Sequence, residues 1–200
     1  MNYLAHTLLS RHADEAILGA ILGDFVKGPL GDNYPPTVTD AIVLHRTIDR
    51  YTDAHPTVLS SRRRVSAIRR RFAPIMIDIF YDHFLARHWN DYCEIPLRDF
   101  ARRVYEILRV HRAIVPERLR TVAPYMAADD WFNAYADIAG MRAAIDGVAH
   151  RLRRFRRAAV LRDGAEELLQ HYAALERDFR LFFPELQNYV AVHPRLGHAA

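Results

Sequence analysis

The sequence predicts an all-α protein, a single-domain multi-helix bundle spanning residues 1–200. Three observations carry that reading. Apolar residues recur at helical spacing through most of the chain, and strand-type alternation is hard to find. The "GPLGDNYPP" loop and Pro56, Pro74, Pro96 and Pro184 fall near the ends of the periodic stretches. Half of the 200 residues are hydrophobic, which suits one core of ordinary size.

The elements follow in order. Residues 14–27 form the first predicted helix, with Ile17, Ala20, Ile21 and Asp24 on one face. Gly19 and Gly23 in that stretch would let a neighbouring helix approach closely. "GPLGDNYPP" (28–36) reads as a loop, because glycine and proline end one helix and delay the next. Residues 37–54 carry Val38, Ala41, Ile42, His45, Asp49 and Thr52 along one face. Residues 57–72 show an inner stripe of Val58, Ser61, Val65, Ile68 and Phe72. Residues 74–92 are apolar almost all the way round, the mark of a buried helix. Helices over 97–113, 138–157 and 164–182 complete the set, with Pro56, Pro74, Pro96 and Pro184 near breaks.

Composition excludes several classes. No apolar run reaches the ~18 residues of a membrane span. The N-terminal stretch lacks the basic start and small-residue cleavage site of a signal peptide. The lone cysteine, Cys93, allows no internal disulfide and has no catalytic context, so a cytoplasmic protein is expected. The net charge is +4, the sequence pI is about 9.4, and the basic residues are arginine apart from Lys27. Such a surface favours an acidic partner.

Polar residues on apolar faces mark the candidate site. In the 74–92 helix, Asp78 and Asp82 share a face with Leu85 and Trp89, and His83 lies about 100° from Asp82. His45 and Asp49 are an i,i+4 pair on the inner face of 37–54. Asp24 ends the apolar face of the first helix, and His6 sits in the apolar segment "NYLAHTLL". A single buried His or Asp is most simply a structural hydrogen-bonder, since an unpaired buried carboxylate is costly. Four segments pointing such groups inward favour a divalent cation instead. Mixed imidazole and carboxylate donors suit Mn2+ first, then Fe2+, Zn2+ or Mg2+. The adjacent Asp82 and His83 resemble, in reversed order, the His-Asp doublet of metal-dependent phosphohydrolases. Asp49 and Asp78 fit either ligand-orienting or general-base roles. Arg46 fits either a phosphate clamp or a pairing with Asp49. His88 is assigned a supporting role; Asp53 and His55, before Pro56, either cap a helix or face solvent. His12, His111, His150, His171, His193 and His198 lack this apolar context.

Two arginine runs stand out. Arg62, Arg63, Arg64, Arg69, Arg70 and Arg71 flank the inner stripe of 57–72 with no interleaved acid, so local ion pairing is not expected to satisfy them. "RLRRFRR" (151–157) is the second. A solvated helix face is the ordinary explanation, and an acidic partner the sharper one. No zinc-knuckle, aromatic RNP-type or helix-turn-helix signature points to nucleic acid.

At these residues the sequence resembles the bacterial acyl carrier protein phosphodiesterases. The matching stretches are "NYLAH" (2–6), "GDFVKG" (23–28), "HRTIDRYTDAHP" (45–56) and "YDHFLARHW" (81–89), with weaker similarity in "HYAALERDFRLFFP" (171–184). Departures are Tyr3 for phenylalanine, Tyr81 for tryptophan and Ala20 for asparagine, none at a proposed ligand. The resemblance implies an HD-domain-like, all-helical phosphohydrolase, usually manganese-dependent. The implied reaction releases 4′-phosphopantetheine from holo-acyl carrier protein, a small acidic protein that would suit the arginine faces. The implied metal set is His6, Asp24, His45, Asp82 and His83, with Asp49, Asp78 and Arg46 in catalysis, His88 and Asp53 in support, and Arg62 to Arg71 in carrier docking. An HD-type hydrolase of a nucleotide or other small phosphoester is the alternative. A non-enzymatic nucleic-acid binder is the third reading.

Overall fold

A computed structural model describes residues 1–152 and 156–192. Every regular element among them is helical. Ten α-helices run in the order α1 (Tyr3–Leu9), α2 (Asp14–Leu22), α3 (Pro36–Ala54), α4 (Pro56–Arg64), α5 (Ala73–Arg87), α6 (Leu97–Val110), α7 (Glu117–Ala128), α8 (Trp131–Ala134), α9 (Ile138–Arg151) and α10 (Ala165–Ala191). Their buried apolar side chains form one continuous cluster from Met1 to Leu186. No helix among them is long and apolar enough to cross a membrane.

The buried helix is α5. Met76, Ile77, Ile79, Phe80, Tyr81, Phe84 and Leu85 are all within the core, and α1, α4, α9 and α10 pack around them. The closest pair is α2 with α3. A side chain at Gly19 would lie 2.4 Å from the Val38 carbonyl oxygen, and one at Gly23 would lie 2.2 Å from the His45 ring. The two glycines therefore let α2 lie directly against α3, as their spacing suggested. Helix α3 begins with Pro36 at its first turn and ends at His55, where the following Pro56 disfavours a further helical residue.

The structure differs from the sequence expectations in several places. The helices predicted over 74–92 and 138–157 end at Arg87 and Arg151, and 153–155 of the latter lie outside the described residues. The stretch 57–72 is not one helix. It ends at Arg64, Val65 is extended, and the Ser66 N–H donates to Glu167 of α10 at 3.0 Å instead of continuing the helix. The first predicted helix stops at Leu22, so Asp24 lies in the turn beyond the Gly23 cap. Helix α10 runs nine residues past 182, bending at His171, where φ is −119°. Helices α1, α7 and α8 were not expected at all. The first has no side-chain cap of its own. The second contains Pro124 and buries only Leu119 and Met126. The third is four residues long and follows Asp130 in the left-handed region, at φ 44°.

The tight α2–α3 contact makes a prediction. Gly23→Ala should lower stability by about 1–3 kcal/mol, because the buried His45 ring has no room to move aside. Gly147→Ala in α9, where an added methyl meets nothing within 4 Å, should instead raise it by about 0.5–1 kcal/mol. Urea unfolding of the two variants checks both signs.

Candidate metal centre

Three of the expected residues meet. Among the described residues, one atom each from His6, His45 and Asp49 lie within 4.8 Å of one another. The two imidazoles stack with centroids 3.7 Å apart. His6 comes from α1; His45 and Asp49 lie one turn apart on α3. Asp24 approaches from the turn after α2, with its carboxylate 3.9 Å from His45 Nε2.

The hydrogen bonds fix how these groups face each other. His45 Nδ1 is 2.6 Å from the Ala20 carbonyl oxygen, an acceptor only, so Nδ1 carries the proton. His45 Nε2 then turns its lone pair toward Asp49 at 3.3 Å. Two lone pairs at that distance repel unless a proton or a cation sits between them. His6 Nε2 lies 3.1 Å from the other Asp49 oxygen, while its buried Nδ1 has no partner. Burial and the neighbouring His45 hold His6 down to a pKa of about 3, so it is a neutral imidazole at pH 7. Burial works to raise the Asp49 carboxyl, yet hydrogen bonding at His45 and His6 holds it below the usual carboxylate range. Two imidazoles and one carboxylate, oriented by a backbone carbonyl, are a donor set that fits a divalent cation.

The cluster lies behind a cavity of about 830 Å3. Asp24, Asp49, Asp53 and Asp78 line it on the cluster's side, and Tyr3, Phe25, Arg118 and Arg151 border them. The Met1 amine sits 3.1 Å from Asp78 and 3.8 Å from Asp49. Burial nevertheless raises the Asp78 carboxyl above its ordinary value.

Asp82 and His83, expected as ligands, do not join this cluster. The Asp82 oxygens accept from the Leu4 N–H at 2.8 Å and the Ala5 N–H at 3.3 Å, capping α1 from a different helix. Burial pushes its carboxyl up to about 7 despite those donors and the Met1 amine. His83 Nδ1 donates to the Tyr135 carbonyl at 2.7 Å, and Nε2 lies 3.0 Å from the Tyr172 hydroxyl. Both ring nitrogens are thus engaged in tying α5 to the α8–α9 connection and to α10. The two residues act as structural supports: one positions His6, the other the cavity wall at Tyr135.

Other expected residues divide similarly. Arg46 donates to the Val26 carbonyl at 2.9 Å, fastening the turn that carries Asp24 rather than reaching the cavity. His88 pairs with Glu176 and contacts Arg180, joining the end of α5 to α10. Asp53 lines the cavity and pairs with Arg62. Half of the first arginine run is paired, and by acids of other helices, Arg62 with Asp53 among them. Arg64 pairs with Asp178 at 3.2 Å and Arg69 with Glu167 at 3.0 Å. Arg70 bonds the Val65 and Arg63 carbonyls, which leaves its charge uncompensated; Arg63 and Arg71 are exposed. In the second run, 153–155 and the side chains of 156–158 lie outside the described residues. Reading the sequence missed Arg118, a single arginine with no local signal; Arg151 opens the second arginine run, which the sequence marked for an acidic partner and not for the cavity.

Fold and centre together define an all-helical protein with a two-histidine, one-carboxylate cluster behind a mixed polar and apolar cavity. Comparison with known proteins makes the class specific. The family described as acyl carrier protein phosphodiesterase matches residues 1–186. A Yersinia pestis protein named acyl carrier protein phosphodiesterase is 35% identical over 191 residues, covering 94% of this chain and 96% of its own. A Salmonella dublin protein of the same name is 35% identical over 192 residues, covering 96% and 98%. The chain belongs to the acyl carrier protein phosphodiesterase family. No solved structure matches it.

The low pKa of His6 predicts how stability varies with pH. The unfolded imidazole protonates near pH 6.5, while the folded one resists protonation to about pH 3. The contribution is complete above pH 6.5 and is lost as pH falls through that window. The urea midpoint of metal-free protein should drop between pH 7 and 4, and His6→Gln should flatten part of that drop.

Proposed function

We propose that this protein hydrolyses the phosphodiester that links 4′-phosphopantetheine to the serine of an acyl carrier protein. Water adds to phosphorus, the P–O bond to the serine breaks, and apo-carrier and 4′-phosphopantetheine leave. The observation that carries the reading is the His6–His45–Asp49 cluster behind a large cavity, in a chain whose family and relatives bear that name.

His6, His45 and Asp49 would hold a divalent cation, with Asp24 completing the set; Mn2+ is the first choice, with Mg2+ and Fe2+ as alternatives. When bound, such a cation acidifies the attacking water and stabilises charge on the phosphoryl oxygens. The Ala20 carbonyl keeps His45 in the tautomer that presents Nε2. Asp82 holds α1 so that His6 stacks on His45. Asp78 faces the same cavity with a carboxyl raised by burial, a suitable acceptor for the proton of the attacking water. The serine oxygen that leaves needs a proton in return.

Asp49→Ala and His45→Ala should each lower release of phosphopantetheine from holo-carrier by about 100-fold or more. Mass spectrometry of the carrier reads the loss of the prosthetic group directly. EDTA should abolish turnover and Mn2+ restore it in the wild type alone. Release from holo-carrier unaffected by Asp49→Ala, or hydrolysis confined to nucleotides, would overturn the reading.

Arg63, Arg70 and Arg71 remain candidates for docking the acidic carrier. The double change Arg63→Glu and Arg71→Glu should raise KM for holo-carrier several-fold at low ionic strength. The effect should fade at high salt, with kcat unchanged. An unchanged KM at low salt would remove this face from the docking surface.

A further inference from the structure

The cavity has an acidic side and a basic one. Arg118, in the first turn of α7, and Arg151, the last residue of α9, both line it. They converge on the α1–α2 edge of the metal cluster. Arg151 lies beside the Tyr3 hydroxyl and lowers its pKa against the effect of burial, and Arg118 lies over the Phe25 ring at 5.8 Å. Tyr3 and Phe25 stack at 6.3 Å, and Phe25 directly follows Asp24. The two guanidiniums thus border the carboxylates that face the cluster. Among the described residues, neither forms an ion pair with a carboxylate. Arg62, Arg64, Arg69 and Arg142, by contrast, each pair with a carboxylate. Two exposed cations left over at the rim of an acid-lined cavity call for an anion brought by the ligand.

We infer that Arg118 and Arg151 are the phosphate-binding residues of this site, gripping the phosphodiester of the substrate where it meets the His6–His45–Asp49 cluster. This rests on the function proposed above and adds to it the residues that recognise the charged group. Guanidinium forks match phosphate oxygens in pairs, which a lone cation does not. Arg46, the arginine that the sequence offered for this role, is engaged with Val26 and unavailable. The remaining walls complete the match. Ile75, Ile79, Val122, Trp131 and Val148 add apolar wall between its charged groups. A volume of about 830 Å3 falls in the range that buries a ligand larger than phosphate itself. A phosphate joined to an amide-containing, partly apolar arm has that polarity.

Binding separates this role from a structural one. Titration calorimetry in EDTA compares 4′-phosphopantetheine with pantetheine, which lacks the phosphate. Wild-type protein should bind the phosphorylated compound more tightly. The double variant Arg118→Gln, Arg151→Gln should weaken 4′-phosphopantetheine by about 10- to 100-fold and leave pantetheine within about 2-fold. Arg118→Lys with Arg151→Lys should recover part of the loss, since charge returns without the fork. On holo-carrier with Mn2+, KM should rise more than kcat falls. Equal weakening of both compounds, or no weakening of either, overturns the assignment of the arginines. Failure of wild-type protein to release phosphopantetheine from holo-carrier would instead strike the proposed function, and that assay needs no variant.

Discussion

The carboxylate of Asp82 at the start of α1 is the interaction on which the centre depends. A helix of seven residues is marginal alone, and its first N–H groups need acceptors. Asn2 supplies none through its side chain, so Asp82 of the central helix accepts from Leu4 and Ala5 instead. That bond sets the height of α1 against α5, and His6 follows within a turn. The α2–α3 contact performs the same task for His45. With no side chain at Gly23, the His45 ring lies flat against the end of α2 and reaches the Ala20 carbonyl. Two rigid placements, made by different pairs of helices, bring the two imidazoles into stacking distance.

Charge is arranged around this core in an uneven way. Acids at the cluster face the cavity from α3, α5 and the turn after α2, where the Met1 amine opposes Asp78 and Asp49, and Arg62 pairs with Asp53. The arginines of α4 and the segment after it are held on another face by Asp178 and Glu167 of α10. Ser61 and Tyr81 extend the Asp178 network into the core, with hydroxyls 2.9 Å apart. These pairs fasten the long terminal helix to the bundle. They consume charge that the sequence offers to a partner. Among the described arginines without a carboxylate partner are Arg63, Arg70 and Arg71 on this face, and Arg118 and Arg151 at the cavity.

The polar residues of α5 explain themselves in this setting. A helix buried on every side can still hold Asp82 and His83, because neighbours supply complementary groups. The carboxylate meets two backbone donors; the imidazole meets one carbonyl and one hydroxyl. Buried polar groups with full partners specify how helices dock. Their resemblance to a catalytic doublet reflects the same chemical demand, convergence on a buried point, met here by the fold rather than by a ligand.

Helical periodicity alone determined the all-α class, the course of α3, α5, α6 and α9, and the burial of α5. Local spacing also placed His45 and Asp49 on one face and marked Gly19 and Gly23 as a packing surface. Those features depend on residues within a turn or two, which a sequence displays directly. Tertiary structure decided the rest. Which inward-facing groups meet depends on partners up to 133 residues away in sequence, as in the bond between Asn2 and Tyr135. Asp82 became a cap, Asp49 joined the cluster, and Glu167 ended α4's run, because of acceptors and donors on other helices. Arg118 and Arg151 gained a role from two chain segments meeting at one rim. Periodicity fixes the direction a side chain takes from its own helix, and only packing fixes what it finds there.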